Sequence, residues 1–239
     1  MKAIIISLTK YKEKDAIIDA ISESGYITFK AHGILDPKNK NASLTNPLSL
    51  VDLTFTQSSN EDHMILKEST FIYNPMVAKA DLEYLSYLNY LVEVSKILLS
   101  DEDKNYIYPD LHQAIIAIKN EVEKPLLVLL KYTLAIFKYS GFDINVSSCV
   151  RCGEKKGIVA FSFQEGGFIC SKCIDEEVKS DFSIDQMLLI RNLYLNKNYI
   201  FKDFIASETD QKFMINKFIE FIYDAYGHKI RSLNTINLN

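Results

Sequence analysis

The sequence predicts an α+β protein: a small five-stranded β-barrel leads into an all-α domain, and that domain carries an inserted four-cysteine knuckle. Three observations predict it. Up to about Phe71 the segments are short and rich in β-branched residues. From Pro75 onward long apolar stretches recur at helical spacing. All four cysteines fall in one turn-rich stretch between helical blocks. The texture changes near Asn74-Pro75, which puts the barrel at residues 1–75 and the helical domain at 76–239, with the insertion at about 146–178.

Five strands are expected over Lys2 to Leu8, Ala16 to Ser22, Tyr26 to Gly33, Leu48 to Thr56 and Met64 to Phe71. Alternation is cleanest where Ile27, Phe29 and Ala31 oppose Tyr26, Thr28 and Lys30, and where Val51, Leu53 and Phe55 oppose Asp52, Thr54 and Thr56. The connections Ser24-Gly25, Asp36 to Asn41 and Ser58-Ser59-Asn60 have turn composition. Five short strands in so little chain suit a closed barrel of the OB type, since closure removes exposed edges. A small SH3-like barrel fits the pattern nearly as well.

Helices are expected at about Lys79 to Ser100, Tyr108 to Asn120, Lys124 to Ser140, Ile184 to Leu195 and Asp210 to Tyr226. In the first, Leu82, Leu85, Leu88, Leu91, Val92 and Val94 form a broad buried face with Tyr84, Tyr87 and Tyr90 along its margin. Gly141 reads as a C-cap and Ser183 as an N-cap.

Cys149, Cys152, Cys170 and Cys173 stand as C-x2-C-x17-C-x2-C. A C-x2-C pair turns both thiolates toward one ion, and two pairs complete a tetrahedral four-thiolate shell of the kind zinc accepts. Gly153 and Gly166-Gly167 are expected to supply the tight turns of the two knuckles, with a short ribbon between them. Paired disulfides would use the same residues but need an oxidising compartment, and the opening Met1-Lys2-Ala3-Ile4-Ile5-Ile6-Ser7 does not read as a secretory signal. A cytoplasmic location is expected. A redox C-x2-C normally stands alone beside a β-α-β pattern. Four thiolates leave no open position for water, so the ion, Zn2+ or, on spacing alone, iron, is expected to be structural.

At 239 residues and 48% hydrophobic content the chain holds enough apolar mass for one large core or two smaller ones. The greasiest stretch, Pro125 to Ile136, is broken by Lys131 and Tyr132, so no membrane span is expected. A net charge of −4 points to no nucleic-acid partner by itself, and any such role must come from local clusters.

The order of parts resembles the RecO family of bacterial recombination mediators. Tyr11-Lys12-Glu13-Lys14-Asp15 leading into Ile17-Ile18, then Gly25-Tyr26-Ile27-Thr28 and Ala31-His32-Gly33, is similar to that family's opening pattern. Cys149 to Gly153, Phe161-Ser162 and Gly166 to Cys173 resemble its metal region, and Tyr226 to Leu233 resembles its closing helix. The resemblance implies a non-enzymatic DNA-repair protein that binds single- and double-stranded DNA and anneals strands. It also implies contact with the C-terminal tail of the single-strand-binding protein SSB, and work with RecR to let RecA load, nucleoid-associated during repair.

A strand-binding barrel needs cations for the backbone and flat side chains for the bases. Lys10, Lys12, Lys14, Lys30, Lys38 and Lys40 are the candidate phosphate contacts in the barrel, and Arg151, Lys155, Lys156 and Lys172 extend them into the knuckle. Tyr11 and Tyr26 are candidate stacking platforms, while Phe29 falls on an apolar strand face and is expected in the core. The loop after His32-Gly33 is less basic than in relatives, no Arg precedes Arg151, and Met1 to Met76 holds eight Lys against nine acids, so weaker DNA affinity is expected. Lys lacks the bidentate fork of Arg.

No H-E-x-x-H, phosphate-binding Gly-rich loop or G-x-S-x-G stands in the chain, and His32, His63, His112 and His228 are scattered, so no catalytic set is expected. The alternative reading is a protein-interaction scaffold, its zinc knuckle and helices docking partners while the barrel binds no DNA.

Overall fold

The computed structural model describes residues 1–56, 64–77, 81–120 and 124–238. Strands β1 (Lys2–Lys10), β2 (Ala16–Ser22), β3 (Gly25–Ala31), β4 (Leu50–Thr56) and β5 (Met64–Tyr73) close into a barrel in the order β1-β2-β3-β5-β4. The β3–β5 pairing is parallel and the others are antiparallel. This is the OB-like barrel expected, and Phe29 lies in its core against Phe55.

β1 is buried along Ala3 to Ile6 on both of its faces. Ala3 and Ile5 point into the barrel with Ile18, Phe29 and Val51, whereas Ile4 and Ile6 join Ile21, Leu48 and Leu50 in the core of the helical body. The unbroken run Ala-Ile-Ile-Ile is the sequence signature of a strand covered on both sides.

The helical body comprises α1 (Leu82–Leu98), α2 (Tyr108–Lys119), α3 (Pro125–Tyr139), α4 (Ile184–Leu195) and α5 (Glu208–Tyr226). α3 is its axle, buried from Leu126 to Phe137 and in contact with α1, α2, α4 and α5. A helix apolar all round must be buried all round, and its neighbours supply that cover. No described helix is long and apolar enough to cross a membrane.

Several expectations shift at their edges. β1 runs on to Lys10, and β3 stops at Ala31 because His32 and Gly33 turn off to bond Asp15. β4 begins at Leu50, since Leu48 takes a left-handed φ of 61° that no strand continues through. α1 starts at Leu82 behind the Asp81 N-cap; Lys79, Ser58-Ser59-Asn60 and His63 lie outside the described residues. Its expected face is rotated. Leu82 is exposed, while Tyr84 and Tyr90 are buried because their hydroxyls find partners in the Pro75 carbonyl (2.9 Å) and Thr133 Oγ1 (2.8 Å). Ser183 caps α4 in a full capping box with Gln186, and Gly141 follows α3 with φ 76°.

Candidate metal centre and nucleic-acid interface

The segment between α3 and α4 is a two-stranded ribbon, β6 (Ile158–Ser162) and β7 (Gly167–Cys170), flanked by the two C-x2-C turns. Gly153 closes the first knuckle with φ 76°, its N–H donating to the Cys149 carbonyl at 2.8 Å. In the second, the N–H groups of Cys173 and Ile174 both donate to the Cys170 carbonyl at 3.0 Å. Contrary to the sequence expectation, the Gly166-Gly167 pair does not supply that turn. It makes the β6–β7 hairpin, where Gly167 at φ 146° passes so close to Asn145 that an added Cβ would lie 2.3 Å from its carbonyl oxygen.

The hairpin brings the four thiols together. Their sulfur atoms all lie within 4.8 Å of one another, and Cys152 Sγ is 3.7 Å from Cys170 Sγ. A tetrahedral shell with metal–sulfur bonds of about 2.3 Å has sulfur–sulfur edges of about 3.8 Å, so a single ion fits between them. A disulfide needs about 2.05 Å, and all four cysteines are free. The thiols differ in their electrostatics. Burial pushes the Cys149 thiol up, but N–H groups of Cys170, Arg151 and Cys152 aimed at its sulfur outweigh that and hold it at about 6. Cys173 is pushed up to about 12, first by its hydrogen bond to Cys152 and then by burial. No water position remains inside a shell of four thiolates, so an ion here folds the segment and opens no site for chemistry.

Arg151 sits between Cys149 and Cys152 and spans the two knuckles. Its Nε and Nη2 form a fork on Glu165 at 3.1 and 2.7 Å, and its Nη1 donates to the Cys173 carbonyl at 2.7 Å and to Asp175. That fork holds both carboxyls below their ordinary range and raises Arg151. Arg151, expected as a phosphate contact, thus directs four of its five N–H donors to partners inside the knuckle. Lys172 lies 3.9 Å from Glu154, which also accepts the N–H groups of Lys155 and Lys156. Between Cys149 and Val178 four cations meet five acids, so the expected basic extension is a charge-compensated surface; the ammonium groups of Lys155 and Lys156 themselves are exposed.

The barrel cations converge better. The β1–β2 turn carries Lys10, Tyr11, Lys12 and Lys14, and the β3 register places Lys30 opposite Ile17 beside it. Tyr11 is 48% exposed, with the ammonium groups of Lys12 and Lys30 at 5.3 and 5.6 Å from its ring centre. The 33–41 loop folds onto this turn. Asp15 accepts from the Gly33 N–H and from His32, which together lower its pKa, and Leu35 N–H donates to the Lys14 carbonyl at 3.0 Å. Lys14 pairs with Asp36 at 2.9 Å and Lys40 with Glu68 at 3.3 Å, while Lys38 is exposed and has no ion pair among the described residues. Tyr26 is no platform: Lys104 sits 4.6 Å from its ring centre and its N–H donates to Asn105 at 2.7 Å, at the seam with the helical body.

One feature escaped the sequence. Lys131, in the middle of the buried α3, is only 7% exposed and lines a pocket of about 380 Å³ with Lys138, Lys197, Leu134, Tyr139 and Tyr194. Burial lowers its pKa, partly offset by Asp110. A lysine inside a helix apolar on every face was the available signal.

Residues 1–73 match the family model described as Recombination protein O N terminal, and residues 79–195 the one described as Recombination protein O C terminal. The chain is similar to the DNA repair protein RecO of Oceanobacillus iheyensis, 25% identical over 228 residues, covering 94% of this chain and 86% of the relative. It is 27% identical over 239 residues to the protein of the same name from Clostridium perfringens, covering 98% and 95%. A third, from Halalkalibacterium halodurans, is 24% identical over 228 residues, covering 95% and 89%. The barrel, and the helical body as far as the end of α4, each fall under their own model in chain order, and the chain belongs to the RecO family of DNA repair proteins.

Proposed function

We propose that this chain is a non-enzymatic recombination mediator that binds single- and double-stranded DNA, anneals complementary strands, and helps RecA to load together with RecR and SSB. The observation that carries it is the exposed Tyr11 ring set among Lys10, Lys12 and Lys30 on one end of the barrel. A ring offers a base a flat face, and the surrounding ammonium groups neutralise phosphates. Lys14 and Lys40 hold carboxylates only through solvent-exposed pairs, which contribute little to stability and which a phosphate can displace. Two strands held on such a surface repel each other less, so base pairing proceeds.

The metal in this reading is Zn2+ held by Cys149, Cys152, Cys170 and Cys173. The SSB tail, an acidic peptide, is assigned to the Lys131 pocket, where buried and exposed ammonium groups stand beside Leu134 and two tyrosines.

Fluorescence anisotropy of labelled single-stranded DNA at two salt concentrations tests the DNA reading. Neutralising about three phosphates gives a log–log salt slope near −2. The expected result is salt-sensitive binding that Tyr11→Ala weakens by about 1–3 kcal/mol. Binding absent at low salt would leave the scaffold reading, with partner capture as the function.

A further inference from the structure

Helix α4 buries Met187, Leu189, Ile190 and Leu193, yet Ile184, Leu188 and Leu195 on its other side are 53, 50 and 53% exposed. The chain that follows doubles back beside that side and exposes Ile200 and Ile205, the latter at 97%. Between them runs a groove of about 1120 Å³ floored by Leu188, Leu195, Phe204 and Ile205. The uncovered side of α4 carries Ile184, Leu188 and Leu195 interleaved with exposed Asp185, Arg191 and Asn192, and clustered aliphatic exposure of this kind marks an interaction surface.

The charge of the groove says what covers it. Asp185, Asp203 and Asp210 line it, and among the described residues no Lys or Arg does; the ammonium of Lys124 reaches its wall, donating to the Ala206 carbonyl at 3.4 Å. Asp210 is held by Ser207 and Gln186, but Asp185 and Asp203 are exposed and have no ion pair among the described residues. The far wall, residues 196–207, lies past the stretch that matches the family's C-terminal model. We propose that this groove binds a cationic amphipathic segment of a partner protein, its aliphatic side chains on Leu188 and Leu195 and its Lys or Arg side chains on Asp185 and Asp203. The proposal does not depend on the DNA reading. Leu195 and Asn196 line both this groove and the Lys131 pocket, so the body presents two docking sites of opposite charge back to back.

The test is anisotropy of a labelled leucine/lysine amphipathic peptide and of its leucine/glutamate counterpart, titrated with the full chain at low salt. The lysine peptide is expected to bind and the glutamate peptide to fail. Asp185→Lys with Asp203→Lys should weaken the lysine peptide by about tenfold, because rim charges steer and select. Leu188→Ser with Leu195→Ser, which keeps every charge, should weaken it at least about tenfold through lost apolar contact. Should that pair disturb folding by circular dichroism, Ile205→Ser at the most exposed position serves in its place. Equal binding of both peptides, or undiminished binding by either class of variant, would overturn the proposal. So would a two-chain mass in light scattering that the leucine variant reduces to one chain, which would make a second copy the occupant.

Discussion

At Lys131 a cation is held where only 7% of its surface meets solvent, with its ammonium 5.7 Å from the Tyr199 ring centre. Its folded pKa is lowered, so its charged form is destabilised by folding. Below that folded pKa the penalty is fully present, and stability rises with pH only between the folded pKa and the ordinary 10.5. Lys131→Met is therefore expected to stabilise the protein at pH 7 by on the order of 1 kcal/mol, and to flatten the alkaline rise. Denaturant melts at neutral and alkaline pH check both. The same variant should lose affinity for an acidic tail peptide, a combination that a purely structural lysine would not give. Arg151 is the opposite case, a cation fully engaged by Glu165, Asp175 and the Cys173 carbonyl. Arg151→Ala is expected to loosen the knuckle, lowering its metal affinity in a chelator competition, with little direct effect on the salt slope of DNA binding.

At the scale of elements, the β6–β7 hairpin decides whether the four sulfurs meet. Gly167→Ala puts a methyl 2.3 Å from the Asn145 oxygen at a φ of 146°, and is expected to cost on the order of 2–3 kcal/mol. Hydrogen exchange across residues 145–173 would locate the loss, and unchanged protection there would refute the assignment. Which elements were legible follows the same physics. Strands β3 and β4 alternate, α3 is apolar on every face, and the cysteine spacing states its own geometry, so each could be read without coordinates. The partners of Arg151 could not be, because Glu165 and Asp175 come from the hairpin and from beyond the second knuckle. The Tyr84 and Tyr90 burial was missed for a related reason: periodicity counts hydroxyl rings as margin unless the Pro75 carbonyl and Thr133 that satisfy them are known. Along the expected basic track into the knuckle, the sequence shows four cations among five acids but not which of them pair: Arg151 with Glu165 and Lys172 near Glu154 emerge only in the fold.

At the scale of the molecule, the proposed metal centre and the proposed DNA surface are separable by experiment. A strong chelator, or Cys149→Ser, is expected to lower the melting temperature and remove protection from the 149–173 segment, since a structural ion contributes folding energy directly. Elemental analysis of the released ion distinguishes zinc from iron. Anisotropy with the chelated protein should keep the Tyr11-dependent binding if the barrel end is the DNA surface. The two parts are not separable in the same way as folding units. Because β1 turns Ala3 and Ile5 inward and Ile4 and Ile6 toward the helices, one strand belongs to two cores at once. A barrel expressed alone would present Ile4, Ile6, Ile21, Leu48 and Leu50 as a bare aliphatic sheet face, a surface prone to self-association. Truncation is thus a poor way to dissect this protein, and its unfolding should be a single cooperative event, with an Ile5 lesion inside the barrel felt as far away as α3.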